Sequence, residues 1–178
     1  AEVAAQEGLD IKGSSVRAVV VAGEPGGNVP ATRERIETAW GARVFDHYGL
    51  TEVGPVAYEA DDRPGGMYVL ESAFVAEAID PKTGDRVPEG AVGELVLTNL
   101  GRTGSPLFRY RTGDLVRLSA GELRGGVLGR ADDMIHVRGN NVYPTAIEAV
   151  VRRFPEVAEF RLKVHNSGPL ADLVLEVE

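Results

Sequence analysis

Four short segments combine glycine with charged or aromatic side chains, and each sits where a predicted strand ends. They are residues 22–25 (AGEP), 46–52 (DHYGLTE), 109–114 (RYRTGD) and 129–133 (GRADD). Binding residues are concentrated in loops that regular elements hold in place. We therefore predict that the four segments are loops and that they line one binding site.

The second segment carries side chains that a nucleotide and its metal ion would need. Tyr48 has a flat face on which a base can stack, and Gly49 permits close approach of the backbone to a ligand. Thr51 supplies a hydroxyl for a phosphate oxygen, and Glu52 supplies a carboxylate of the kind that Mg²⁺ prefers. In the later segments, Asp114 offers two acceptors for a ribose diol.

Each of these residues also has an ordinary structural explanation. Tyr48 could be a packing residue, and residues 113–114 could form a hairpin turn. Residues 51–52 could cap a helix, and residues 132–133 could form a solvated turn. One at a time, the structural explanation is favoured. All four segments in this order favour a nucleotide site.

Composition limits the class of protein. The 178 residues are 43% apolar and 26% charged, as in an ordinary folded domain, and the net charge of −8 argues against nucleic acid as a partner. The absence of cysteine excludes disulfides and thiolate metal sites. No apolar run reaches the roughly 20 residues of a membrane span, and nothing at the start resembles a signal peptide. We expect a cytoplasmic protein that has no membrane partner.

The charge is unevenly distributed along the chain. Residues 52–94 carry ten carboxylates against three basic side chains, whereas residues 102–130 carry six arginines against two carboxylates. The forks of Arg111 and Arg130 suit anionic oxygens. A salt-bridged surface explains the same composition and is favoured on composition alone.

The apolar pattern predicts an α/β (α+β) fold. The first residues predict the end of a helix that stops near Gly8, and strand, loop, helix and strand follow, in the rhythm of an α/β layer. From residue 67, short apolar runs separated by turn residues predict a small antiparallel sheet or partial barrel. A last section near residue 132 predicts a strand, a helix opened by Pro144 and a hairpin over residues 160–177.

The chain resembles adenylate-forming enzymes, the superfamily of acyl-CoA synthetases, peptide-synthetase adenylation domains and luciferases, and within it the phenylacetate–CoA ligases. The motifs that carry the resemblance are AGEP, DHYGLTE, IDPKTGDRVPEGAVGELVLTNL, PLFRYRTGD and GRADDMIHVRGNNVYPTAIE. They span nearly the whole chain, from about residue 8 to residue 178.

The resemblance implies a role for each matching residue. Gly23, Glu24 and Pro25 would line the adenine and acyl pocket, and Asp46 with Tyr48 and Gly49 would hold adenine. Thr51 would contact the α-phosphate, Glu52 would bind Mg²⁺, and Asp114 with Arg130 would hold the ribose. Asp132 would be the hinge between residues 1–131, the end of the large domain, and residues 132–178, part of a mobile C-terminal domain. Gly139 and Asn141 would face coenzyme A.

The reaction implied by the resemblance joins a carboxylic acid, aryl or arylacetic, to coenzyme A through an acyl-adenylate, with ATP converted to AMP. A homodimer is compatible with this interpretation. The family's phosphate loop and C-terminal catalytic lysine have no counterpart here, which predicts a fragment that is inactive alone. Two alternatives remain: transfer of the acyl group to a carrier protein or amine, and a non-catalytic nucleotide-binding module.

Overall fold

The structure is a computed structural model that describes residues 2–23, 29–138, 140–154, 156–165 and 172–178. Its elements, in chain order, are α1 (Glu2–Gln6), β1 (Ala18–Ala22), α2 (Pro30–Trp40), β2 (Arg43–Leu50), β3 (Gly54–Glu59), β4 (Gly66–Val69), β5 (Phe74–Ile79), β6 (Val92–Asn99), β7 (Tyr110–Ser119), β8 (Glu122–Arg124), β9 (Gly129–Arg130), β10 (Ile135–Val137), β11 (Asn140–Val142), α3 (Pro144–Val151), β12 (Phe160–His165) and β13 (Asp172–Val177). None of the helices in these ranges is long and apolar enough to cross a membrane.

Nine of the strands in the described residues form one hydrogen-bonded sheet. Their order is β1-β2-β3-β4-β8-β7-β6-β5, with β9 attached to β7. β1 and β2 are parallel and are joined through α2, whereas the other pairs are antiparallel. β7 connects the two halves of the sheet, because it pairs with β6 along most of its length, with the two residues of β9 at Asp114 and Leu115, and with β8 at its end. This mixed α/β arrangement confirms the predicted fold class.

The core lies among the strands from β2 to β8. Its buried cluster consists of Tyr48, Val53, Val56, Ala57, Met67, Val69, Phe74, Leu95, Leu97, Val116 and Leu123. Each large side chain of this kind contributes about 1.5–3 kcal/mol when it is buried. The strands that carry Tyr48 and Asp114 are anchored in this core, through Tyr48 itself on β2 and Val116 on β7.

Two of the four segments predicted as loops are strands. β2 continues through residues 46–50, and β7 begins at Tyr110 and contains Asp114. The predicted strands ended at Asp46 and began only after Asp114, because these charged residues interrupt the apolar pattern, although both are buried at 6% exposure. A buried polar side chain occupies the same alternating position on a strand as a buried apolar one. A search for alternating apolar residues does not detect it. Residues 51–53 form a turn and do not begin a helix.

The C-terminal elements follow the prediction closely. α3 begins at Pro144, as predicted, and β12 pairs antiparallel with β13. The residues that connect these two strands lie outside the described ranges. The short strands β3, β8 and β11 were not predicted, and β10 pairs with β11 in a separate two-stranded sheet.

Candidate functional site

A cavity of about 690 Å³ lies where β2, β7, β9 and α3 meet. The predicted site residues that line it are Gly23, Asp46, Tyr48, Gly49, Asp114 and Arg130. These residues come from all four segments that the sequence singled out, since Gly23 belongs to residues 22–25 and directly follows β1. The fold thus brings side chains that lie far apart in sequence to one cavity.

Tyr48 and Asp114 are joined directly, across 66 residues of sequence. The Tyr48 hydroxyl donates a hydrogen bond of 2.6 Å to Asp114 Oδ2, and both residues are buried. The Asp114 N–H donates to Thr112 Oγ1 at 3.1 Å, and Thr112 in turn donates to the Leu95 carbonyl at 2.8 Å. The Asp114 carboxylate is therefore held in one orientation at the cavity wall.

Arg130 completes this group from β9. Its Nη1 lies 3.4 Å from Asp114 Oδ1, and its Nε donates to Asp132 Oδ1 at 2.9 Å. The register of β9 against β7 places Arg130 directly opposite Asp114. The guanidinium remains about half exposed, so a charged ligand at the cavity can still approach it.

Burial dominates the ionisation of Asp114. Burial raises the pKa of its carboxyl above the usual value, and the hydrogen bond from Tyr48 and the charge of Arg130 only partly oppose this. The nearby carboxylates Asp132 and Glu52 raise the pKa further. Burial, together with the bond to Asp114, also raises the pKa of Tyr48, so its hydroxyl remains a donor at neutral pH.

Asp46 lines the cavity on the strand that carries Tyr48. Its Oδ1 accepts a hydrogen bond of 2.8 Å from the His47 N–H, and burial raises the pKa of its carboxyl. The Asp46 N–H donates to Glu59 Oε2 at 2.9 Å, and Glu59 forms a buried ion pair with Arg33. Burial raises the pKa of Glu59, but the bonds from Arg33, Asp46 and Gly65 more than offset this and lower it overall.

Gly49 lines the cavity, and the packing of β2 against β3 also requires a glycine at this position. A Cβ atom there would lie 2.8 Å from the Gly54 carbonyl oxygen and 3.1 Å from Pro55 Cα. β3 thus approaches the backbone of Gly49 closely, at an irregularity in the β2–β3 register, and the approach of a ligand to Gly49 stays a prediction.

Thr51 and Glu52 lie in the turn after β2, are exposed and do not line the cavity. Arg102 donates to the Glu52 carbonyl oxygen. The Glu52 carboxylate accepts no hydrogen bond and forms no ion pair among the described residues. Its negative charge nevertheless contributes to the raised pKa of Asp114. Within the same ranges, no group of three or more His, Asp or Glu side chains is arranged to hold a metal ion.

Arg111 does not reach the cavity, although its fork was predicted to suit an anion. Its guanidinium pairs with Glu94 and donates to the Pro81 carbonyl. The salt-bridged surface that composition favoured is therefore correct for Arg111, and also for Arg109 and Arg124.

The remaining predicted residues are only partly described. Glu24, Pro25 and Gly139 lie outside the described residues, and Asn141 lies in β11 with its side chain undescribed. Asp132 is exposed and paired with Arg130, whose guanidinium lowers the pKa of the Asp132 carboxyl.

Sequence reasoning missed several residues that support the site. Glu59 and Arg33 hold the backbone of Asp46, Thr112 holds that of Asp114, and Thr145 lines the cavity from α3. A buried acid at the end of an apolar run was the one available signal, at Glu59. The contacts of Arg33 and Thr145 depend on tertiary packing and leave no local pattern.

Comparison with known proteins gives close relatives in sequence. No protein-family model matches the chain. It is 38% identical over 189 residues to the phenylacetate-coenzyme A ligase of Thermus thermophilus, an alignment that covers 100% of this chain and 42% of the relative. It is 37% identical over 185 residues to the ligase of the same name from Escherichia coli, covering 99% and 42%. The chain thus spans well under half the length of these curated relatives.

Solved structures give the same answer for the fold. A 2-hydroxyisobutyryl-CoA ligase in the postadenylation state, bound to 2-HIB-AMP, matches 99% of this chain and 40% of its own at 31% identity, with a TM-score of 0.88. At the same identity, the TM-score is 0.78 for that ligase in an open conformation and 0.70 for its thioesterification state. By sequence along its whole length and by fold, the chain belongs to the adenylate-forming superfamily, as a homologue of phenylacetate–CoA ligases.

Proposed function

We propose that this chain is the nucleotide-binding part of an ATP-dependent carboxylate–CoA ligase, which forms an acyl-adenylate and then an acyl-CoA thioester. The observation that carries the proposal is the meeting of Tyr48, Asp114 and Arg130 at one cavity. Its volume of about 690 Å³ lies within the range of small-molecule sites.

The ribose and the base would bind at the buried side chains. Each oxygen of Asp114 has one protein partner, which leaves further lone pairs for the two ribose hydroxyls. Tyr48 would support the base, and the second oxygen of Asp46 would accept a hydrogen bond from the amino group of adenine. Arg130 would place positive charge beside the ribose and phosphate. Gly23 and Gly49 would contact the nucleotide through their backbones.

The first half-reaction brings two anions together. A carboxylate oxygen of the acid attacks the α-phosphorus of ATP, the bond to the bridging oxygen breaks, and pyrophosphate leaves with the electron pair. Thr51 would donate to an α-phosphate oxygen, and Arg130 would offset the negative charge. The thiol of coenzyme A then loses its proton and attacks the acyl carbonyl carbon, the bond from that carbon to the phosphate oxygen breaks, and AMP leaves with the electron pair.

Glu52 is suited to hold Mg²⁺, because its carboxylate is exposed and accepts no hydrogen bond among the described residues. Mg²⁺ commonly uses one or two protein carboxylates and takes its other ligands from phosphates and water. When bound, the ion would neutralise charge on the phosphates.

The two half-reactions would use two arrangements of residues 1–131 and 132–178, with Asp132 as the hinge and with Gly139 and Asn141 near coenzyme A in the second. The postadenylation and thioesterification states of the 2-hydroxyisobutyryl-CoA ligase support this proposal. The named activity of the relatives supports an aryl or arylacetic acid as substrate.

The full-length protein should be assayed with ATP, Mg²⁺ and a panel of arylacetic, aryl, alkyl and hydroxy acids. We expect acid-dependent ATP–pyrophosphate exchange, strongest with an arylacetic acid, and a thioester when coenzyme A is added. Exchange that yields a product only on a phosphopantetheinyl carrier protein would favour the first alternative. AMP binding without exchange for any acid would favour a non-catalytic module.

A further inference from the structure

The start of α3 is tied to the strand that carries Arg130. Thr145, the second residue of α3, donates its hydroxyl to the Leu128 carbonyl oxygen, 17 residues earlier in the chain. The Leu128 N–H donates to the Leu115 carbonyl at 2.8 Å. The peptide groups of Leu128 are therefore held by β7 on one side and by α3 on the other.

Gly129, the first residue of β9, lies directly against the same turn of α3. A Cβ atom on Gly129 would lie 3.3 Å from Thr145 Oγ1 and 3.6 Å from Tyr143 Cδ1. Its φ of +155° is a backbone conformation that residues with side chains rarely adopt. The absence of a side chain at 129 thus lets α3 pack on the backbone of β9, one residue from Arg130.

This contact spans the predicted hinge, since Leu128 and Thr145 lie on opposite sides of Asp132. The 2-hydroxyisobutyryl-CoA ligase matches this chain best in its postadenylation state, less well in its open conformation and least in its thioesterification state. The same ligase is compared with this chain at the same sequence identity in all three cases. The differences in TM-score therefore reflect how the structural elements are arranged in each state. The contact between α3 and β9 therefore belongs to the adenylation-like arrangement.

We propose that Thr145 is a positioning residue for adenylate formation: its hydroxyl holds β9 so that Arg130 stays on Asp114, and this bond is released before thioester formation. The inference rests on the proposed function, because it assigns Thr145 to one of the two half-reactions. Thr145 and Tyr143 both line the cavity, and the proposed role of Thr145 acts through the position of Arg130.

The test compares Thr145→Val with Thr145→Ser in the full-length protein. Valine keeps the shape but loses the donor, and one lost hydrogen bond corresponds to about a fivefold effect. We expect Thr145→Val to slow adenylate formation about fivefold and to leave thioester formation from added acyl-adenylate within about twofold of wild type. Thr145→Ser should restore adenylation. Thr38→Val is the matched control, because Thr38 lies in α2 and makes no side-chain hydrogen bond among the described residues.

Equal loss of both half-reactions, or no loss of either, would overturn the proposal. Amide hydrogen exchange provides a readout that does not need catalysis. The Ala131 N–H donates to the Gly113 carbonyl at 2.7 Å, so its exchange reports whether β9 stays on β7. We expect the Ala131 amide hydrogen to exchange about fivefold faster in Thr145→Val than in wild type, and at the wild-type rate in Thr145→Ser. A wild-type protein that forms no adenylate would refute the proposed function. An unchanged rate of amide hydrogen exchange at Ala131 in Thr145→Val would refute the role of Thr145.

Discussion

Two regions of the main sheet, one on β7 and one on the edge strand β5, contain the same kinds of side chain and differ in how completely their charges are neutralised. At the cavity, Asp114 is buried and receives one full hydrogen bond from Tyr48 and a longer contact from Arg130. At the outer edge of the sheet, Glu77 pairs with both Arg86 and Arg109. The Asp114 carboxylate therefore keeps lone pairs that can accept hydrogen bonds from a ligand, whereas the Glu77 carboxylate is paired with two arginines of the chain itself.

The ionisation of the two carboxylates shows the same contrast. Burial raises the pKa of Asp114, and its partners do not offset this. Burial also acts on Glu77, but the hydrogen bonds from Arg86 and Arg109 outweigh it and lower the pKa. A carboxylate whose pKa is raised in a cavity is a candidate for function, and one whose pKa is lowered by two arginines is a structural ion pair. Residue type alone does not distinguish them.

The largest effect is expected when the open carboxylate is neutralised. Asp114→Asn should lose two charge-assisted hydrogen bonds to ribose, at about 1.5 kcal/mol each, and so weaken adenylate formation about a hundredfold. Its free energy of unfolding should not fall, since a neutral group suits the buried position better. Glu77→Gln should show the reverse, with unchanged adenylation and lower stability. The measurements are ATP–pyrophosphate exchange and urea unfolding of the full-length proteins; a comparable loss of exchange in both variants would remove the distinction between the regions.

The fold could be predicted from the sequence further than the site could. Turn residues and β-branched runs are local signals, so the helix at Pro144 and the strand over residues 74–79 were placed correctly. The burial of Asp46 and Asp114 on strands could not be predicted, because it depends on partners 13 to 66 residues away. The segments of the site were found from glycine and charged side chains at the ends of predicted strands, and the family resemblance then implied a role for each residue. The contact of Thr145 has no sequence signal.

Glu52 differs from Asp114 because its carboxylate is exposed rather than buried. If it holds Mg²⁺, Glu52→Gln loses one charged metal ligand, worth about 2 kcal/mol or roughly thirtyfold in exchange rate. Raising the Mg²⁺ concentration should restore part of the rate, while Asp114→Asn should not respond. Exchange in Glu52→Gln that equals wild type at every Mg²⁺ concentration would remove Glu52 from the metal site.

The smallest effect is the dependence of nucleotide affinity on pH. Because the pKa of Asp114 is raised, its carboxylate takes up a proton while the pH is still above 3.8, the usual value, and loses acceptors for ribose. AMP affinity should therefore begin to fall as the pH decreases toward the raised pKa, severalfold at first and in the direction of the lower affinity of Asp114→Asn.

Stability should change in the opposite sense at this residue. The folded state takes up the proton of Asp114 more readily than the unfolded state, so this group favours folding more at lower pH. The contribution of Glu77 is present above 4.5, its usual pKa, and is lost as the pH falls through the lowered folded pKa. Calorimetric titration with AMP from pH 7.5 downward, on wild type and Asp114→Asn, tests whether Asp114 is the titrating group, and urea unfolding of wild type and Glu77→Gln over the same pH range tests the contribution of Glu77. If both proteins lose affinity in parallel, the titrating group is not Asp114, and the open carboxylate at the cavity wall does not bind the ribose.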